Sequence, residues 1–178
     1  MNSISFKKLE QGDLPLLFKW RNQAFVSAWY KPAMPTMKEI EKTYLPRIKG
    51  EELTFCYIAE IDQIPAAFIQ AYQMNDYPCY KKAIGYQDNA ISLDLFIGEE
   101  DYLHKGYGKL IISNFLKEVA FKKFALKKCI IAPDPKNTAA IRAYEKVGFK
   151  YLKTVRNEED GEFEYIMELD RENLLNQG

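Results

Sequence analysis

Gly106 and Gly108 stand two apart between Lys105 and Lys109, where "GKLIISNFLKEVAF" takes up helical apolar spacing. A helix start leaves N–H groups unpaired and carries the positive end of the helix dipole. Glycines remove side chains that would hold an anion away, and lysines add charge, so the stretch has the makings of a phosphate-binding turn. Paired glycines also precede helices that bind nothing. The stretch has neither the third glycine of a dinucleotide fingerprint nor the G-K-[ST] of a Walker loop. Upstream, Asp94 sits inside "ISLDLFI", mid-strand, where aspartate is disfavoured. It either faces solvent on an open sheet face or does chemistry. Downstream, Tyr144 shares helical spacing with Ile141 and Val147, the usual spacing of a core tyrosine. The lone histidine, His104, falls inside the glycine stretch and reads as an anion-side or surface residue rather than a base.

The elements that must position these residues follow from periodicity. Ile4 to Leu9 alternates as a strand, and Leu14 to Trp20 is amphipathic. "AWYKPAMP", Ala28 to Pro35, is an aromatic loop broken by proline. Thr36 with Glu39 forms a capping box for a helix running to about Lys49. Thr54 to Ile61 and Ile64 to Tyr72 form a hairpin turning at Asp62-Gln63. Met74 to Asn89 has no clean period and is expected to be a long loop. In the strand Ala90 to Ile97, residues Ile91, Leu93, Leu95 and Ile97 should face one way, and Ser92, Asp94 and Phe96 the other. A helix from Gly106 to Phe121 and a buried strand from Lys127 to Ile131 follow. Asn137 caps a helix that ends at Gly148. Phe149 to Val155 and Glu162 to Leu169 make a last hairpin across "RNEEDGE". The expected fold is α/β (α+β), a mixed, mostly antiparallel twisted sheet of about six to seven strands flanked by helices.

A chain of 178 residues with 47% hydrophobic content suits one domain, 1–178, with its core between Ile4 and Leu169. The 12 Tyr and 11 Phe supply packing and ring surfaces. Basic and acidic residues balance at 25 each, which argues against a nucleic-acid partner. Cys56, Cys79 and Cys129 are odd in number and far apart, so no disulfide framework or metal site is expected. There is no apolar signal core and no membrane-length apolar run, so a cytoplasmic setting without a membrane partner is expected.

The strand with "LHKGYG" and its helix, followed by "APDPKNTAAIRAYEKVGF", resembles the GNAT superfamily of acetyl-CoA-dependent N-acetyltransferases. Over Ile4 to Leu169 it is similar to the aminoglycoside 6'-N-acetyltransferases. "AWY" with "TYLPRI" carries the likeness weakly, "LDLFIGEEDYLHKGYG" and "AIRAYEKVGF" strongly. The resemblance implies acetyl-CoA as cosubstrate, no metal, and acetyl transfer to a primary amine, the 6'-amine of an aminoglycoside. Asp94 would be the general base and Tyr144 the acid for the departing thiolate. Leu95, Phe96, Ile97, Leu103, His104, Lys105, Gly106, Tyr107, Gly108, Lys109 and Asn137 would hold CoA. Leu103 stands where the family usually has Gln or Arg, a small departure because those contacts are mostly backbone.

A polycationic substrate asks for acids and ring faces, supplied by Trp29, Tyr30, Asp76, Tyr77 and Asp134, with Tyr80 and Asp88 nearby in the sequence. The family's strand commonly ends in an Asp before Pro; here Ala132 precedes Pro133, with Asp134 displaced by two residues. The alternatives are therefore a siderophore precursor, a polyamine or a protein N-terminus as acceptor, or a CoA-binding sensor without catalysis. Partners are a small cationic amine and acetyl-CoA, with the chain a monomer or homodimer.

Overall fold

The computed structural model describes residues 3–158 and 161–176. In chain order its elements are β1 (Ile4–Lys8), α1 (Leu14–Arg21), α2 (Ala24–Ser27), α3 (Met37–Lys49), β2 (Phe55–Ile61), β3 (Ile64–Gln73), α4 (Pro78–Ala83), β4 (Ile91–Ile97), α5 (Tyr107–Phe115), α6 (Phe121–Phe124), β5 (Lys128–Ile131), α7 (Thr138–Val147), β6 (Lys150–Arg156), β7 (Phe163–Asp170) and α8 (Arg171–Leu175). The strands form one seven-stranded sheet in the order β1-β2-β3-β4-β5-β7-β6, with β4 and β5 parallel. Strand β7 is antiparallel to both β5 and β6. The chain gathers into two compact units. One holds the residues up to Gln70 with Asp94–Tyr107; the other holds Ala71–Leu93 and the chain from Gly108 onward.

In the first unit local signals act as the sequence predicts. The Thr36 hydroxyl accepts from Glu39 N at 3.3 Å, and Glu39 Oε2 accepts from Thr36 N at 2.7 Å. Left-handed Gly50 closes the same helix, α3. Asp62 and Gln63 take φ of 51° and 66°, the positive values that a two-residue hairpin needs. Leu14, Leu17 and Trp20 of α1 meet Ile40 and Tyr44 of α3, Ile58 of β2, Phe68 of β3 and Phe96 of β4 in one core.

Two expectations are corrected. Met74 to Asn89 is not a featureless loop: a 3₁₀ turn over Met74–Asp76 leads into α4. Pro78 starts that helix with a fixed φ. Met74, Ile84 and Tyr86 are buried with Ala90, Ile130 and Ile166, so apolar anchors rather than a period order the segment. β4 alternates as expected, with Asp94 and Phe96 on one face, but that face is not left to solvent. Ile91, Ser92 and Leu93 are all buried, Leu95 and Ile97 are half-buried, and Phe96 is in the core. Both sheet faces are covered at the start of the strand. At its end Phe96 lies 5.3 Å from Phe68 and 5.2 Å from Tyr30, centroid to centroid, and these rings bury the face opposite the aliphatic row. The helix expected to end at Phe121 continues through a π turn, Leu116–Ala120, into α6. The closing helices α2 and α8 have no clear signal in the sequence. Within the acidic turn between β6 and β7, Glu159 and Asp160 lie outside the described residues.

Gly98 ends β4 against α1. Its N–H donates to Ala66 O at 2.8 Å, and a Cβ there would overlap the indole of Trp20. Trp20 is wholly buried, and its Nε1 donates to Glu99 Oε1 at 2.8 Å. Gly98→Ala must therefore displace a large, bonded ring. We expect it to destabilise the protein by about 1–3 kcal/mol, read as a lower urea midpoint; an unchanged midpoint would remove Trp20 as the constraint on this position.

Candidate active site

Two backbone hydrogen bonds set the pairing of β3 with β4: Gly98 N to Ala66 O at 2.8 Å and Met74 N to Ala90 O at 2.9 Å. Both pairs keep the same antiparallel offset, so Gln70 falls opposite Asp94 and Phe68 opposite Phe96. The side chains agree. Gln70 Nε2 donates to Asp94 Oδ2 at 2.9 Å. Gln70 Oε1 in turn accepts from Arg47 Nη1 at 2.9 Å and from the Cys56 thiol at 3.6 Å. Asp94 keeps part of its residue surface, but its carboxyl is packed among protein atoms. Loss of water pushes it above the ordinary aspartate range, while the Gln70 hydrogen bond and the Arg47 charge pull the other way. A carboxyl so placed holds a proton more firmly than a solvated one, as a proton acceptor must.

Tyr30 reaches the same strand. Its hydroxyl donates to Leu95 O at 2.6 Å, and its ring lies under the Arg21 guanidinium, 5.2 Å from the centroid. Arg21 also donates to Pro32 O at 3.1 Å, so it holds the aromatic loop at both ends of "YKP". Trp29 stays exposed beside it. Tyr30 is thus a structural strut for β4, and Trp29 offers the open ring face. Ile97 is half-buried and Phe96 is committed to the core.

The glycine stretch is a run of turns between Leu103 and the start of α5. Leu103 N donates to Glu100 O at 2.9 Å, and the Tyr102 and Tyr107 rings pack edge to face at 5.2 Å. His104 and Gly106 have φ of 60° and 86°. At Gly106 nothing lies within 4 Å of where a Cβ would be, so the glycine answers a backbone demand, not crowding. Gly108 is different. Its φ is ordinary, and a Cβ there would make a normal 3.9 Å contact with Ala143 of α7. The fold has room for a side chain at Gly108. Lys105 and Lys109 are exposed. Bare backbone at a helix start, flanked by cations, is an arrangement that an anion can approach.

In the second unit, Asn137 Oδ1 accepts from Ala140 N at 3.1 Å and caps α7, as expected. Tyr144 is buried in that helix, its ring 6.0 Å from Phe149. Asp134 is exposed, and its Oδ1 accepts from Lys136 N at 2.7 Å, closing the turn before α7. Asp76 Oδ2 accepts from Gln73 Nε2 at 3.5 Å, and Tyr77 packs on Tyr72 at 4.5 Å. Tyr80 and Asp88, the other loop residues, bond to Glu164 and Lys128. The first unit therefore brings Asp94, Leu95 and Tyr30 together, and the second brings Gly108 beside the helix of Asn137 and Tyr144. Among the described residues no group of three His, Cys, Asp or Glu could hold a metal ion, and no helix is long and apolar enough to cross a membrane.

Gln70 and Arg47 are functional-site residues that the sequence alone does not single out. The available signal was a glutamine inside an otherwise apolar strand, "AAFIQAY", which asks for a buried partner.

Residues 10–157 match the family model described as an acetyltransferase (GNAT) domain. The aminoglycoside N(6')-acetyltransferases type 1 of Klebsiella pneumoniae and of Serratia marcescens are each 27% identical to this chain, covering 94% of it and 83% of the relative. Among solved structures, aminoglycoside acetyltransferase AAC(6')-Ib in complex with coenzyme A superposes with a TM-score of 0.80 at 26% identity, covering 98% of each chain. The same protein with ribostamycin and coenzyme A gives 0.79 at 26% identity, covering 96% of this chain and 94% of that one. Strand-borne Asp94, the glycine turn before α5 and the capped α7 thus sit in a fold shared with CoA-bound enzymes, and the chain belongs to the GNAT family of acetyltransferases.

Proposed function

We propose that this chain acetylates the 6'-amine of an aminoglycoside, with acetyl-CoA as donor. The observation that carries this reading is the packed, water-deprived Asp94 carboxyl on β4 of a GNAT acetyltransferase whose relatives are aminoglycoside 6'-N-acetyltransferases. Acetyl-CoA supplies the activated acetyl group. The backbone from Leu103 to Lys109 holds its pyrophosphate, with Lys105 and Lys109 adding charge, and the Asn137 amide faces its arm. Asp94 takes the proton that the substrate ammonium must lose before its nitrogen can attack. The Tyr144 hydroxyl gives a proton to the sulfur that departs as the C–S bond breaks. Trp29 supplies a ring face, and Asp76, Tyr77 and Asp134 supply charge and walls for the remaining ammonium groups. The cosubstrate is an intracellular metabolite, so the reading places the chain in the cytoplasm, as a monomer or homodimer.

A second reading has its own support. Ala132 packs against the apolar cluster of Met74, Ile84 and Tyr86, and Asp134 uses one oxygen to close its turn. A position that commonly grips a substrate amine is thus apolar, which favours a smaller amine such as a polyamine, a siderophore precursor or a protein N-terminus. Acetylation of an amine panel, with NMR of the product to locate the acetyl group, separates the two.

Asp94→Asn keeps the shape and the Gln70 partner but removes the base. Turnover should fall on the order of 10²-fold or more, with CoA affinity intact. The same change should raise thermal stability at neutral pH. The folded carboxyl binds its proton more tightly than the unfolded one, so native Asp94 loses stability as pH rises from the unfolded value, about 3.9, through its raised folded value. Asparagine removes that penalty. Near-full turnover in this variant would place the base elsewhere.

Gly108→Ala should leave the unliganded fold intact or stabilise it by about 0.4–1 kcal/mol, yet weaken CoA binding by about tenfold, about 1.4 kcal/mol, by calorimetry. Unchanged affinity would remove the glycine turn from the CoA site. If aminoglycosides are the substrates, Asp134→Asn, which preserves the turn and deletes the charge, should raise KM for kanamycin at unchanged kcat. The difference should shrink in high salt, since exposed charges are screened beyond about 8 Å at physiological ionic strength.

A further inference from the structure

We propose that Arg47 is a positioning residue for Asp94: acting through Gln70, it fixes which carboxylate oxygen is left to receive a proton. The inference rests on the reading of Asp94 as the base and adds to it a direction and a second residue.

A guanidinium only donates hydrogen bonds. Arg47 Nη1 is 2.9 Å from Gln70 Oε1, so that atom must be the amide oxygen. The Cys56 thiol points to the same oxygen at 3.6 Å. Burial pushes that thiol up to about 12, so it stays protonated and is also a donor. Turning the Gln70 amide over would set its NH₂ against two donors and its oxygen against a carboxylate. One orientation survives, and it aims Nε2 at Asp94 Oδ2. Oδ2 is thereby held as an acceptor. Oδ1 has no hydrogen bond from a described residue and is not sealed from solvent. A proton taken from an ammonium therefore goes to Oδ1: the N–H bond breaks, its electron pair stays on nitrogen, and the new O–H bond forms on Oδ1.

Arg47 is itself held. Its Nε donates to Glu52 Oε2 at 3.0 Å, and its guanidinium lies over the Tyr44 ring, 5.3 Å from the centroid. The side chain is 20% exposed, so this arrangement is not a loose surface pair. The charged and titratable groups that act on Asp94 are Arg47 of α3 and Cys56 of β2, with Glu52 beyond Arg47. From the other packed segments, Tyr30 bonds to Leu95 O and Trp20 to Glu99, not to Asp94. Removing Arg47 takes away a positive charge and frees the amide to turn, and both changes make the Asp94 carboxylate harder to form.

The test is the Asp94 titration midpoint, read by carbon-13 NMR of carboxyl-labelled full-length protein and assigned by loss of the signal in Asp94→Asn. The midpoint should move up by about one pH unit in Arg47→Met, and upward in Gln70→Leu. Arg47→Lys, which keeps the charge but not the fork, should move it less and serves if Arg47→Met does not fold. The acid limb of kcat/KM against pH, measured with ribostamycin, should shift by the same amount in each variant. A merely structural role would lower the melting temperature and scale the rate without moving either midpoint; folded variants with an unmoved Asp94 midpoint overturn the proposal. If the midpoint moves while Asp94→Asn keeps its turnover, the base reading fails and the coupling stands. If Asp94→Asn is inactive and the midpoint stays, the coupling alone fails.

Discussion

The hydrogen bond from Gln70 to Asp94, across the β3–β4 pair, is the contact on which the arrangement around Asp94 depends. A carboxylate removed from water needs a donor in place of the lost solvent. Here one amide supplies it, and that amide is oriented by Arg47 rather than by chance. The chain of dependence runs outward from there. Arg47 sits in the last turn of α3, so its position relies on the Thr36–Glu39 cap at one end of that helix and on Gly50 at the other. Its ring partner Tyr44 packs on Phe68, one cross-strand pair away from Gln70. A shift of one residue in the β3–β4 register would turn Gln70 to the opposite face and leave Asp94 without a partner.

Such a carboxyl is a stored destabilisation, and the surrounding core compensates. Phe68, Phe96, Tyr44 and Trp20 form a chain of edge-to-face and stacked rings around the end of β4. Tyr30 adds a polar tie to the strand itself through Leu95 O. These contacts hold the backbone on either side of Asp94. Rigid neighbours hold a desolvated side chain in one position.

The two glycines at the start of α5 do different jobs, although they look alike in sequence. Gly106 meets a backbone demand in a turn where His104 is also left-handed. Gly108 faces no such demand and no crowding. The aromatic pair Tyr102–Tyr107 then braces the turn from one side.

Much was legible from short stretches alone. The capping box at Thr36, the hairpin at Asp62-Gln63, the Asn137 cap and the Gly148 end each depend on backbone needs spanning a few residues, so local sequence contains all the information. The glycine turn and the oddity of Asp94 inside a strand were visible for the same reason. Tertiary structure decided the rest. Met74, Ile84 and Tyr86 order a segment without period because their burial depends on β5 and β7, distant in the chain. Phe96 closes the face that Asp94 shares because Phe68 and Tyr30 meet it across the sheet and from a loop. Gln70 and Arg47 could not be tied to Asp94 from spacing, since each lies on a different element. Only strand register and helix packing bring a donor to a carboxylate across that separation, and only there does desolvation make the donor matter.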